Sequence, residues 1–352
     1  MSNTSSYTLN AQEEDEHVSK IVSLLNAQEE DQEQACILIS SFQDHASIMD
    51  KIRGVVLEMF GQGTMWAKGE NGALLKNIDL TLNMGKHSEL FLRLLKNGLI
   101  TAEHLDTLVL SDVRGPLLGE ACSQLSNLTS LTLKCSERWE GNSIEMAVLP
   151  KELALCTQLR VLNIGRYQNL VADTFDAPLK IHTLISKGCT DALLGGLLPW
   201  MPNIEEINLT PDWRCRSLTS IPDTIAQCTK LKRLNCSRHW QLKHVSEKIG
   251  ECTQLVNLNL SSTNLQALPY TISKLPKLTS LKVQNTSIRY ISQPILTMPS
   301  LRRIHTFGCN KLIIQNSELF QKKIRWKRPE TDYPHYSVHR ETFVKQMFFE
   351  PK

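Results

Sequence analysis

No apolar run in these 352 residues approaches the roughly 20 residues that a membrane-crossing helix needs. Residues 1–20 are polar and acidic and lack the basic start and apolar stretch of a secretory signal, so a cytoplasmic protein without a membrane partner is expected. A non-classical export route that reads the polar residues 1–10 stays open beside that expectation. No C-x-x-C pair occurs and neighbouring cysteines lack zinc-ligand spacing, so no metal site is expected. His335 and His339 stand four apart with no third ligand in sight. The motifs G-x-S-x-G, H-E-x-x-H and G-x-x-x-x-G-K-[ST] are missing, which removes the sequence basis for a serine hydrolase, a zinc protease or a nucleotide-phosphate cradle. Excess charge of one sign is missing too. A net charge of +3 is too small to imply a nucleic-acid partner by itself. It is unevenly spread, acidic over Glu13, Glu14, Asp15 and Glu16 and basic over Lys322, Lys323, Arg325, Lys327 and Arg328, which reads as two solvated ends.

What the chain has is one phrase, L-x-x-L-x-L in its ideal form, ten times over. It opens at Leu75, Leu105, Leu128, Leu159, Ile181, Ile204, Leu231, Leu255, Leu278 and Leu301. The starts are 30, 23, 31, 22, 23, 27, 24, 23 and 23 residues apart, too short for a two-helix repeat and right for a strand-plus-turn coil. The third residue after every start is apolar, and the fifth is apolar in all but two, Ser186 and Thr306. Such alternation predicts a short strand with one buried face, the intervening side chains facing solvent. Spacings of 30 and 31 predict loop insertions or a miscounted unit.

These residues resemble the leucine-rich repeat family over about residues 75–323. The match is closest at Leu255, Leu258, Leu260, Thr263 and Leu265 followed by Leu268, Pro269 and Ile272. The proline-led turn recurs at Pro150 and Pro222, where proline suits the first position of a short helix because it has no amide hydrogen to leave unpaired. The resemblance implies an α/β leucine-rich repeat solenoid, a curved parallel sheet with short helices or 3-10 turns on the convex side. Ten strands at about 4.8 Å each would make a sheet roughly 45 Å long. Residues 1–60, with apolar residues near helical spacing from Val18 to Phe60, read as a helical N-terminal region or cap; residues 61–74 read as a linker marked by Gly61, Gly63, Gly69 and Gly72; residues 324–352 read as a C-terminal cap or tail.

The cysteines fit the repeat rather than a disulfide framework. Cys156, Cys228 and Cys252 each lie three residues before a start, where other repeats place Leu125, Met201, Leu275 and Met298, so cysteine acts there as a small hydrophobe. Cys189 and Cys309 lie eight after a start, at the turn position of Thr263 and Thr286, which the family fills with Asn, Cys or Thr. A reducing compartment follows. Some bacterial effectors with this repeat carry a ubiquitin-ligase domain with a C-x-D nucleophile, and Cys189-Thr-Asp191 has that form. It sits inside a repeat, however, and too few residues follow residue 323 for a catalytic domain, so Cys189 reads as structural and the chain as no enzyme, with no cofactor.

Function is therefore expected in display. On the last repeats the side chains between the buried leucines include Arg233, Lys282, Arg303, His305 and Phe307, a polar and basic set suited to an acidic or phosphorylated protein surface. Just past the strand, basic and aromatic residues adjoin at Arg138 and Trp139, Arg166 and Tyr167, Trp213 and Arg214, and Arg238, His239 and Trp240. If the coils stack in register these form a rim, and Trp, Tyr and Arg are the residues that dominate interface hot spots. The reading is a non-catalytic protein-interaction scaffold. Its alternatives are a secreted effector that captures a host protein with the same repeats and, less favoured, RNA binding by stacking.

Overall fold

The computed structural model describes residues 11–27, 29–42, 46–60, 64–69, 72–79, 86–97, 102, 103, 105–135, 147–167, 170–211 and 218–313. Trp139, Trp213, Arg214, His335, His339 and the whole of the expected tail lie outside the described residues. The chain forms two compact units, Met1–Leu179 and Lys180–Lys352.

The first unit opens with three helices, α1 (Ala11–Leu25), α2 (Glu29–Ser40) and α3 (Ala46–Phe60), as the apolar spacing predicts. Ile21, Leu25, Ile39, Ile48 and Ile52 are buried between them. Lys51 of α3 bridges Glu14 at 3.1 Å and Asp15 at 2.7 Å on α1. The group is fastened to the repeats through α2, whose Glu33 meets the buried Arg93 of α4 (Lys86–Lys96) at 3.0 Å. The segment expected as a linker is not one. Thr64–Gly69 and Gly72–Asp79 pair as an antiparallel hairpin, in which Gly69 and Gly72, read as loop markers, are the facing strand residues next to the turn.

From Gly72–Asp79 the unit continues as a parallel sheet through Thr107–Ser111, Ser130–Lys134 and Val161–Ile164. Its register puts Ile78 against Leu108, Leu108 against Leu131, and Leu131 against Leu162. The third residue of each of these repeats thus faces the third residue of the next. The 30-residue spacing after Leu75 is filled by α4, an 11-residue helix standing where later repeats have a short turn. Behind the sheet lie α5 (Gly115–Ala121) and the 3-10 turn Lys151–Leu155. A second, two-residue parallel ladder joins Val148–Leu149 to Val171–Ala172.

The second unit has six parallel strands, Thr183–Ser186, Glu206–Asn208, Arg233–Asn235, Asn257–Asn259, Ser280–Lys282 and Arg303–His305, each paired with the next in the register set by Leu184, Ile207, Leu234, Leu258, Leu281 and Ile304. These six residues are at most 1% exposed. Complete burial of one such side chain is worth about 1.5–3 kcal/mol, and each coil supplies two or three, so the stack is held by its leucines. The opposite layer is α6 (Asp191–Leu197), 3-10 turns at Asp223–Gln227, Glu247–Glu251 and Tyr270–Lys274, and α7 (Gln293–Thr297). The prolines before these turns stand one residue earlier than expected. Pro222 and Pro269 occupy the cap, where their carbonyls accept the N–H of Ile225 and Ile272.

Acidic residues at the head of this layer clasp the following coil. Asp191 accepts the backbone N–H of Thr219 at 2.7 Å and of Ser220 at 3.2 Å, together with both hydroxyls. Asp223 accepts the Ser246 hydroxyl, and Glu247 accepts the N–H of Tyr270 at 3.2 Å and of Thr271 at 3.1 Å. Glu247 thereby satisfies the first N–H groups of the turn Tyr270–Lys274, while Asp191 and Asp223 hold the residues just ahead of the next turn. Burial pushes the Asp191 carboxyl up, but the hydrogen bonds from Thr219 and Ser220 outweigh it and hold the group below its ordinary value.

Candidate functional site

The turn that ends the strand has one geometry in five of the coils, the last four among them. Seven residues after the repeat start, Asp112, Arg238, Ser262, Asn285 and Gly308 all have positive φ, between 51° and 75°. In that conformation the N–H aims at the neighbouring coil: Arg238 donates to the Ser261 carbonyl, Ser262 to Gln284 and Asn285 to Phe307. Gly308 is needed at its position, since a Cβ there would stand 1.9 Å from Asn285 Oδ1.

The next residue, eight after the start, points inward. Cys189, Thr263, Thr286 and Cys309 are buried there, as the repeat alignment predicts. Thr263 and Thr286 donate to the carbonyls of Leu260 and Val283, and Cys309 Sγ lies 2.9 Å from the Val283 carbonyl. Tyr167 and His239 occupy the same position and do the same work with longer side chains. Tyr167, 1% exposed, donates its hydroxyl to the Lys134 carbonyl at 3.0 Å, and burial raises its ionisation point. His239, fully buried, places Nε2 2.5 Å from the Leu209 carbonyl.

The rim expected from adjoining basic and aromatic residues is corrected accordingly. Tyr167 offers no surface, because the turn aims its ring into the stack. Arg166 beside it is half-buried and engaged. In the second unit Arg238 and Trp240 flank the inward His239 and are exposed, Trp240 by 54%. That pair is what the described residues retain of the rim.

The open face of the second unit's sheet carries the other candidates. Its first rungs are electrically closed: Lys232 meets Glu205 at 2.7 Å, and Arg233 meets Glu206 on the strand directly beside it. Bonding to Glu206 raises the Arg233 ionisation point further. Arg233, expected to face a partner, is therefore already paired. Asn208, Asn235 and Asn259 are also spent, their side-chain carbonyls accepting the N–H two residues on, from Thr210, Ser237 and Ser261.

The last rungs differ. Lys282, Arg302 and Arg303 are exposed, and among the described residues none of them has a carboxylate partner. Lys282 sits directly across from His305, and Ser280 across from Arg303. His305 is held below its ordinary value, first by burial and then by the positive charges of Lys282 and Arg303. Phe307, 52% exposed, follows His305 on the same face. The structure thus gathers four of the predicted residues, Lys282, Arg303, His305 and Phe307, and leaves Arg233 apart. Sequence reasoning passed over Glu205 and Glu206, although both precede Lys232 and Arg233 by the 27 residues that separate their repeat starts.

Two places among the described residues bear on chemistry, Cys189 and a groove on the helical side. The Cys189 thiol is buried, and burial with the nearby Asp191 charge pushes it up to about 12, so it stays protonated. A groove of about 360 Å³ on the helical side holds Lys243, His244 and Glu247, but Glu247 is committed to the clasp on Tyr270 and Thr271. Among the described residues no three His, Cys, Asp or Glu side chains are placed to hold a metal, and no helix is long and apolar enough to cross a membrane.

In each unit the fold is that of a leucine-rich repeat: parallel strands one per coil, leucines inward, short helices and 3-10 turns behind. Compared by sequence with protein-family models and with curated proteins, the chain matches none. Solved structures it is similar to include internalin InlP of Listeria monocytogenes, at 14% identity and a TM-score of 0.45, over 72% of this chain and 68% of that one. A leucine-rich repeat protein of Leptospira interrogans is 20% identical with a TM-score of 0.30, over 71% and 77%. Internalin InlF of L. monocytogenes is 12% identical with a TM-score of 0.42, over 78% and 85%. At these values the likeness brings no partner with it.

Proposed function

We propose that the chain is a non-catalytic protein-interaction module whose second unit holds an acidic partner against the open sheet face, with Arg238 and Trp240 at the turn edge. The observation that carries this is the contrast between rungs. Glu205 and Glu206 neutralise Lys232 and Arg233, whereas Lys282, Arg302 and Arg303 stand exposed without a carboxylate among the described residues. Like charges so close repel one another, and an acidic surface relieves that repulsion on binding. The buried thiols at packing positions, including Cys156, Cys228 and Cys252, support a reducing, cytoplasmic setting.

The test is affinity capture with the full chain and with the double variant Lys282→Glu, Arg303→Glu, after thermal melts have shown that both fold alike. A partner retained by the native chain and lost by the variant supports the reading. Identical capture by both overturns it.

A further inference from the structure

We propose that the face formed by Lys282, Gln284, Arg303, His305 and Phe307 binds an extended peptide bearing a phosphorylated side chain, with an apolar side chain two residues further on seated against Phe307. The inference rests on the interaction-module reading and gives it a ligand.

Arg303 and His305 share the open face of the strand Arg303–His305, about 6.6 Å apart at Cα, and Phe307, in the turn that follows, is exposed while Ile304 and Thr306 between them are buried. Lys282 and Gln284 lie on the neighbouring strand and just beyond it, Lys282 directly across from His305, and adjacent strands are about 4.8 Å apart. One tetrahedral anion above His305 therefore lies within reach of an ammonium, a guanidinium and an imidazole from two strands. The charge also selects. Lys282 and Arg303 are two permanent positive charges, matched by a phosphate monoester at about −1.5 to −2 near neutral pH, whereas one carboxylate would leave a surplus. The guanidinium of Arg303 can engage two phosphate oxygens at once.

Phe307 supplies the second half of the argument. It is 52% exposed on a face whose other members, Lys282, Gln284, Arg303 and His305, are polar. Along an extended partner, residues two apart face the same side, so an anion over His305 places the next same-side residue over Phe307. The preferred partner alternates a phosphorylated residue with an apolar one.

The experiment titrates the full chain with a short peptide containing phosphoserine followed two residues later by leucine. Parallel titrations use the unphosphorylated peptide, a glutamate version, inorganic phosphate and a single-stranded oligonucleotide. The phosphopeptide is expected to bind about tenfold or more tighter than the glutamate and unphosphorylated forms. Lys282→Gln and Arg303→Gln should each remove about that factor while leaving the thermal melt unchanged. Phe307→Ala should weaken the phosphopeptide several-fold and leave inorganic phosphate binding alone. Equal binding of the glutamate peptide, tighter binding of the oligonucleotide, or native-like affinity in the charge variants overturns the proposal. If phosphopeptide binding fails while charge reversal still abolishes capture of a protein partner, this inference falls and the interaction-module reading stands.

Discussion

His239 makes the stack sensitive to acid. Its ring is fully buried, Nε2 bonds the Leu209 carbonyl of the preceding coil, and Nδ1 has no partner among the described residues. Burial lowers its ionisation point below 6.5, outweighing the opposite pull of the Leu209 carbonyl and the Asp191 charge. In the unfolded chain the same imidazole takes up a proton near 6.5. A group whose folded value is depressed contributes its full stability above the unfolded value and loses it as pH falls. Between 6.5 and the folded value, each pH unit should therefore remove up to about 1.4 kcal/mol. His239→Thr installs the residue found at the same turn position as Thr263 and Thr286, which donate to a carbonyl of their own turn. At pH 7.5 the variant should lose about 1–3 kcal/mol, through the lost bond to Leu209 and the space left by the ring. Urea unfolding from pH 7.5 to 5 reads both effects. The native chain should lose more stability over that range than the variant, so the two curves converge. Curves that stay parallel would refute the argument, since they would show that His239 binds protons alike in both states.

Three further expectations follow from other coils. Thr306 is 2% exposed, and its hydroxyl has no partner among the described residues at a position where the preceding repeat has Val283, so Thr306→Val should raise stability by about 1 kcal/mol in denaturant unfolding. Asp191→Ala should cost about 1–3 kcal/mol by stripping Thr219 and Ser220 of their acceptor. Because the Asp191 value is depressed, the native contribution should persist above the ordinary aspartate value near 3.8 and fade as pH drops through the folded one. Burial pushes Cys228 and Cys252 up to about 12, so alkylation followed by peptide mass analysis should leave both unmodified in the native chain and modify both in denaturant, while the half-buried Cys135 reacts sooner.

The repeat register was legible in the sequence because a strand has only two faces. With Leu231, Leu234 and Cys236 inward, Arg233 and Asn235 have to face outward, and Asn257 and Asn259 do so in the next coil, although Ser280 at the same position one coil on is buried. The first coils were harder. The hairpin Thr64–Gly69 with Gly72–Asp79 is flanked by glycines that read as loop, and α4 occupies a spacing that, counted alone, reads as an insertion. Tyr167 and His239 were misplaced for a different reason. Adjacency to an arginine suggested surface, whereas counting eight from Leu159 and Leu231 puts both at the position of Cys189 and Thr263, which is inward. Arg166 and Arg238 keep to the outer side of the same turns. The neutralised rungs were open to the same counting, since the register of Glu206 with Arg233 follows from their repeat starts alone.

That register also gives a way to quench the cationic face without removing a cation. Ser280 stands across from Arg303 as Glu206 stands across from Arg233. Ser280 is itself only 4% exposed, so Ser280→Glu gives Arg303 the neighbour that Arg233 already has only if the longer side chain reaches the open face, which an unchanged thermal melt checks. If the bare charges of the last two strands are what a partner recognises, this single change should lower affinity for an acidic ligand as much as loss of Arg303 does, although every cation remains. His305 provides an internal check. The added carboxylate offsets the positive charges that now help to depress it, so its titration, followed by proton NMR of the imidazole, should move to higher pH. A variant whose His305 moves as expected but whose partner binds as before would place recognition elsewhere, at Trp240 and Arg238 on the turn edge.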